Sequence, residues 1–239
     1  MDLINLPAIS EILQPFSAAI TPDSIIRGQG ADPELIRKRR PALVKAAESA
    51  LSEGMSLIQP AILLRCIPVK EVRHGQILVD GGKIWGEDIF SALAGSEYIA
   101  VAAVTIGNKL EDRITEILKD DPVLAMGLDG LANSTVDWLS TWVFDYIEEE
   151  AVKQGFKVTL PYSPGMKNWS VDVGQPQIFQ LLEPDPQVIR LNPSFSLIPR
   201  KSSTLIAGIG KNVEKSGKSP CQFCSMFEIC NFKHDFSAH

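Results

Sequence analysis

One stretch sets the scale of whatever fold this chain adopts. After Asp121-Pro122 there is no further proline until Pro161, and the run passes through Trp138 and Trp142 to the acidic Glu148-Glu149-Glu150 before reaching Gly155. Asp121 can cap free amides, Pro122 suits a first helical position and Gly155 suits a stop, so these residues predict one long helix. Its surroundings have a different texture. Residues 61–72 and 76–79 are rich in Ile, Val and Leu and end at His74-Gly75 and Asp80-Gly81-Gly82, the pattern of antiparallel strands joined by tight turns, with 84–85 as a short third piece.

Upstream, Asp32-Pro33 opens a helical stretch to about Gly54, in which Leu35, Ile36, Leu43, Ala46, Ala47 and Leu51 recur at helical spacing and Pro41 kinks or restarts it. Residues 87–93 predict a short helix and 98–106 a buried strand, followed by an amphipathic helix through Leu110, Ile114 and Leu118. Beyond Gly155 the expectations are a strand at 157–160, a proline- and glycine-containing loop at 161–175 and a short helix at 176–182. Strands at 194–198 and 204–209 follow, then a Gly/Lys/Ser linker at 210–220. Helices and strands mix without a regular βα alternation, which predicts an α+β fold with a largely antiparallel sheet.

Apolar residues make up 45% of the 239 and charged residues 22%, enough hydrophobic surface to close a core and consistent with one main domain. A net charge of -6 opposes a broad phosphate-neutralising surface, so no nucleic-acid partner is expected despite the local Arg37-Lys38-Arg39-Arg40 run. The N-terminal MDLINLPAISEILQPFSAAI has no basic run before an apolar core, and no run is apolar for eighteen residues. Neither a signal peptide nor a membrane span is therefore expected, and the chain reads as cytoplasmic.

Three of the four cysteines fall at Cys221, Cys224 and Cys230, with His234 just after them. A Cys-x2-Cys turn sets two sulfurs on one side of a tight loop, so three thiolates here can converge on one ion. His234 would complete a zinc site, whereas Cys66, reaching from a strand, would complete a [4Fe-4S] site. The apolar Phe223, Met226, Phe227 and Ile229 between the thiols suit a cluster shielded from water. The fourth ligand stays open between Cys66, His234 and an external group, and an inert buried thiol is the simpler role for Cys66.

Two other segments draw notice. In Pro161-Tyr162-Ser163-Pro164-Gly165-Met166-Lys167-Asn168-Trp169, two prolines fix the backbone, while Gly165 permits positive φ or close approach of a ligand. In Pro199-Arg200-Lys201-Ser202-Ser203-Thr204, cations stand beside three hydroxyls, a combination suited to an anion or simply to a solvated strand entry. On the long helix Asn133, Asp137 and Thr141 share a face, either lining a pocket or meeting solvent.

Together with Val104-Thr105-Ile106-Gly107, Asp129-Gly130-Leu131-Ala132 and Gln177-Ile178-Phe179-Gln180-Leu181-Leu182, these segments, in this order over residues 33–210, resemble the activation domain of cobalamin-dependent methionine synthase in a short stand-alone form. The resemblance implies a twisted, largely antiparallel sheet flanked by helices. Residues 1–32 then precede the domain, and 211–239 form a linker and a small cysteine-rich metal-binding segment. It also implies a methyltransferase-related role: S-adenosylmethionine bound in a shallow site, its methyl passed to cobalt after one-electron reduction of cob(II)alamin. The residues carried over for the ligand are Asp137 on the helix, the loop Tyr162, Ser163, Pro164 and Gly165, and Ser202, Ser203 and Thr204.

Two positions depart from the family pattern. Pro161 stands where an arginine that could pair the ligand's carboxylate is typical, and Met166 stands where a tyrosine is typical. Arg200, Lys201 and Lys167 are the cations nearby in sequence or motif. The chain lacks an Asp-x-His-x-x-Gly corrinoid cradle, so the resemblance implies that cobalamin comes on a corrinoid-binding methyltransferase partner. Electrons would come from a flavodoxin or ferredoxin and could pass through a cluster in the tail. The alternative is a non-catalytic corrinoid-protein scaffold or chaperone of the same fold with a structural zinc site.

Overall fold

The computed structural model describes residues 19–166 and 168–213, together with Glu228. The metal-ligand candidates Cys221, Cys224, Cys230 and His234 lie outside the described residues. Among the described residues three helices come first, α1 (Pro22–Gly28), α2 (Pro33–Arg39) and α3 (Pro41–Gly54). Each has proline in its first turn. Thr21 and Ser24 cap α1 reciprocally and the Asp32 carboxylate caps α2, so local chemistry starts both. Pro41 restarts the chain as α3 after Arg40 leaves helical geometry, as the sequence predicts.

Then come β1 (Ala61–Arg73), β2 (Gln76–Val79), β3 (Gly82–Trp85), α4 (Glu87–Leu93), β4 (Tyr98–Thr105), α5 (Lys109–Ile117) and the long α6 (Pro122–Lys153). After α6 follow β5 (Lys157–Val158), α7 (Val171–Leu182), β6 (Arg190–Leu191), β7 (Leu197–Ile198) and β8 (Ser202–Gly210). Six strands form one sheet in the order β3-β2-β1-β4-β8-β5, every pairing antiparallel. β1 serves two neighbours: its first half pairs with β4, and beyond an irregularity between Val69 and Glu71 its second half pairs with β2.

Alternation along β4 and β8 divides the core. Ala100, Ala102, Val104, Leu205, Ala207 and Ile209 face α6 and its Leu128, Leu131, Leu139 and Val143. Ile99, Val101, Ala103 and Ile206 face the other way, onto α4, α7, Tyr162 and Trp169. Small residues let the helices approach closely. A Cβ on Gly130 would stand 2.5 Å from the Ile25 carbonyl oxygen of α1, and one on Gly127 would stand 2.8 Å from that of Ala46 in α3. Ile25 and Ile26 are fully buried by this docking, so α1 shares the core of the sheet and α6.

Three elements differ from expectation. Helix α7 starts at Val171 and runs through Pro176, which the sequence suggests as its start. The Ser170 carbonyl already accepts from Val173 and Gly174, and burial of Ile178, Leu181 and Leu182 outweighs the one amide that Pro176 cannot supply. The predicted strand at 194–198 shrinks to Leu197–Ile198, because the Asn192 side chain accepts from the amides of Ser194 and Ser196 and bends the chain into a turn. The strand at 157–160 stops at Val158. Beyond it Thr159 and Tyr162 meet β8 singly, with the Gly208 amide bonding to the Thr159 hydroxyl.

Candidate ligand groove

The loop after β5 is tied to the sheet at one point. Tyr162 and Ile206 exchange backbone hydrogen bonds of 2.8 Å in each direction, which seats the Tyr162 ring, 8% exposed, on the face away from α6. Burial, with a lesser contribution from the Asp88 carboxylate, pushes its hydroxyl above the ordinary tyrosine range. The chain then folds on itself. The Met166 amide donates to Ser163, the Gly165 amide to the Trp169 carbonyl, and the Trp169 amide to Met166. Gly165 takes φ +99, a conformation open to glycine and strained for other residues. The Pro164 ring lies against Gly174 of α7, where an added Cβ would approach Pro164 and Trp169 atoms to 2.9 Å.

Across from this loop stands the corner between β3 and α4. Gln177, in α7, fixes it: its side chain accepts from the Trp85 amide at 2.9 Å and donates to the Trp85 carbonyl at 3.2 Å. The Asn168 amide also donates to the Asp88 carboxylate at 3.0 Å, tying loop to helix. Between the two walls runs an open groove of about 630 Å³. Trp85 and Gly86 form one side, Gly165, Met166 and Asn168 the other, and Trp169 and the first turn of α7 the remainder. A smaller hollow of about 420 Å³, at the His74–Gly75 turn, shares Trp85 and Gly86 with it.

The candidate ligand residues are distributed unevenly around this groove. Gly165 lines it directly, and Tyr162, Ser163 and Pro164 shape its loop. Ser202 and Thr204 lie within the sheet on the groove's face of β8. The Ser202 hydroxyl is 2.7 Å from the Pro199 carbonyl and 2.8 Å from the Thr105 hydroxyl, and Thr204 donates to Gln175. Alternation turns Ser203 to the α6 side. Asp137 is exposed on α6, across the sheet, and among the described residues none from α6 lines the groove. Thr141 is likewise exposed, so the polar row on α6 meets solvent there, while Asn133 is half-buried and bonds to Gly28.

Of the two cations in the 199–204 segment, Lys201 is held within the protein, whereas the Arg200 side chain is largely exposed beside a carboxylate. The Lys201 ammonium, 20% exposed, lies 2.6 Å from Asp129 and 2.8 Å from the Asn133 side-chain oxygen. The Arg200 amide bonds to Glu111, and its guanidinium lies 3.6 Å from the same carboxylate. Trp85, Gly86 and Asp88 escaped notice in the sequence because they stand far from the loop along the chain, Asp88 by 80 residues, and carry no local signature.

Among the described residues no group of three or more His, Cys, Asp or Glu could hold a metal ion. Cys66 sits on the α6 side of β1, opposite Ala100, and burial pushes its thiol up to about 11. At pH 8 the folded chain should expose on the order of a hundredfold less Cys66 thiolate than an ordinary cysteine. Peptide-resolved alkylation should therefore label Cys66 slowly in the native protein and rapidly in urea. Rapid native labelling would show that the strand does not shield it. No described helix, α6 included, is long and apolar enough to cross a membrane.

No protein-family model matches the chain, and no curated protein matches it. Among solved structures, a crystal structure of the MetH reactivation domain bound to AdoHcy matches with a TM-score of 0.60 and 13% identity, over 89% of this chain and 76% of that one. At that identity the likeness is one of fold, and the α+β architecture implied by the resemblance is the one the chain has.

Proposed function

We propose that the protein is a reactivation subunit: it binds S-adenosylmethionine in the groove between Trp85 and the 161–169 loop and presents it to the corrinoid of a partner protein. The observation that carries this reading is the fold shared over 89% of the chain with a domain solved with AdoHcy. The Ser163-Pro164-Gly165 turn matches the family's ligand loop, and its Gly165 lines the groove. In the reaction, cob(II)alamin on the partner takes up one electron, the reduced cobalt attacks the sulfonium methyl, and the S–CH3 bond breaks to leave neutral AdoHcy. This chain's own residues bind and orient the sulfonium ligand, and the apolar walls limit water around it. The partner is a corrinoid-binding methyltransferase such as methionine synthase, and a flavodoxin or ferredoxin supplies the electron. The thiols of Cys221, Cys224 and Cys230 are the donor set for a metal in the tail.

One observation favours a second reading, a non-catalytic scaffold for corrinoid proteins with a structural zinc site in the tail. Pro161 supplies no guanidinium, and Arg200 and Lys201 face Glu111 and Asp129. Under that reading the groove takes no sulfonium ligand. The two are separated by incubating the anaerobically purified full-length chain with the corrinoid-binding module of methionine synthase, S-adenosylmethionine and a reductant, with metal analysis of the same preparation. The reactivation reading expects cob(II)alamin to disappear and AdoHcy to form only when the chain is present. Stoichiometric zinc with no AdoHcy formed supports the scaffold.

A further inference from the structure

A strained and exposed aromatic residue stands on the same face of the sheet as the groove. β6 and β7 pair antiparallel, Arg190 opposite Ile198 and Leu191 opposite Leu197, and the turn between them carries Phe195. Its φ is +60, and it is 37% exposed. The other described non-glycine residues with positive φ are His74, Asn168 and Glu183, all polar. A bulky apolar residue in that conformation is uncommon and costs backbone energy, so the surrounding structure has to impose it. Here it does. The Asn192 side-chain oxygen accepts from the amides of Ser194 and Ser196, the Asn192 amide donates to the Ser196 carbonyl, and the Phe195 amide donates to the Asn192 carbonyl, each at 2.9 Å. The ring gains no place in the core by this, for it belongs to neither buried cluster. The stem of the hairpin does belong. Ile189 is fully buried and, with Leu197, packs among Ile206, Tyr162 and Trp169, which places the hairpin on the groove's side of the sheet. From β7 the chain passes into β8, where Thr204 bonds to Gln175 of α7, the helix whose first turn lines the groove.

We propose that the 190–198 hairpin is a docking finger for the corrinoid-binding partner, with the Phe195 ring as an apolar anchor seated in that protein's surface. The assignment rests on the reactivation reading above, because a partner that brings cobalt to the groove must lie against this face of the sheet. A turn that served only to join β6 to β7 would be easier to build with glycine or asparagine at this position, since both adopt positive φ readily. Phenylalanine there exchanges backbone ease for a ring held outward. Aromatic anchors carry much of the binding energy of protein interfaces, and one fixed in place before contact loses little freedom on association.

The test is calorimetric titration of the full-length chain with the cobalamin-loaded corrinoid-binding module of methionine synthase, with S-adenosylmethionine affinity and the urea midpoint measured on the same preparations. Phe195→Asn suits the turn and removes the ring. Its midpoint should equal or exceed that of the unaltered chain and its S-adenosylmethionine affinity should stay within about twofold, while module binding weakens by about tenfold or more. Phe195→Tyr, which keeps the ring, should bind the module within about threefold of the unaltered chain. Module binding that ignores Phe195→Asn would overturn the docking finger and leave the reactivation reading standing. A clear fall in the Phe195→Asn midpoint would also overturn the finger, by showing that the fold itself needs the ring. Absence of any complex between the module and the unaltered chain would overturn both the finger and the partner on which it rests.

Discussion

Replacing Gly130 with alanine should destabilise the protein by about 2 kcal/mol, and valine there by more, even though helix propensity alone favours the change. Propensity predicts a gain of about 1 kcal/mol for alanine over glycine inside a helix. The added methyl, however, would lie 2.5 Å from the Ile25 carbonyl oxygen and 2.7 Å from Gln29 Cγ. The first contact is with backbone, so relief requires α1 to move away from α6. The mirror contact, a Cβ on Gly28 at 2.4 Å from the Gly130 carbonyl oxygen, shows that the two helices touch main chain to main chain. Overpacking of this sort costs roughly 1–3 kcal/mol. Displacing α1 would further uncover Ile25 and Ile26, each contributing about 1.5–3 kcal/mol when buried. Urea unfolding should show the midpoint falling in the alanine variant, and limited proteolysis should find new cleavage in residues 19–31 of the valine variant. A stabilised Gly130→Ala chain would mean that α1 is not docked as described.

The second large effect is expected at Gln177→Leu, a change that keeps volume and removes the amide. Gln177 is buried and satisfies both the N–H and the C=O of Trp85, besides donating to Val173 within its own helix. Each backbone group left without a partner costs about 1–3 kcal/mol when buried, and the exposure of Trp85 lets water offset part of that. A loss of about 2 kcal/mol follows, together with weaker ligand binding, because this clasp sets the distance between the Trp85 wall and the 161–169 loop. Gln180→Leu is the control. It sits on the same helix and bonds only to the Gly81 carbonyl at an exposed site, so it should lose well under half as much and leave binding unchanged. Equal effects from the two substitutions would show that the corner is held by something other than Gln177.

The elements were legible in the sequence wherever local chemistry decided them. Proline and aspartate mark the start of α6, Pro41 marks the restart at α3, and glycine-rich turns bound β2 and β3. What escaped is what tertiary packing decides. Pro176 is a poor helix interior residue by itself, and only the burial of the face around Ile178 and Leu181 carries α7 through it. The strand suggested at 194–198 yields to one Asn192 side chain that bonds two backbone amides.

The site follows the same division. The rigid loop at Ser163-Pro164-Gly165 announces itself through its prolines and its glycine. The opposite wall, Trp85 and Gly86, is an ordinary strand end until α7 brings Gln177 against it. Arg200 and Lys201 look available in sequence because their partners, Glu111 and Asp129, come from helices α5 and α6 far along the chain. Asp137, which the resemblance carries over to the ligand, lies on the opposite side of the sheet from the groove, and no local pattern indicates which face of the sheet it joins.

The reading proposed above makes the 161–169 loop a binding site for a sulfonium nucleoside. Its most direct test is the titration of full-length protein with S-adenosylmethionine, compared with Gly165→Val, a β-branched residue forced to the φ of +99 that the loop requires and pressed toward Val171. Saturable one-to-one binding by the unaltered chain, lost in Gly165→Val while the unfolding free energy falls by no more than the roughly 1–3 kcal/mol that the local backbone strain costs, is the predicted result. No heat of binding at millimolar ligand, or equal binding by both chains, would contradict it.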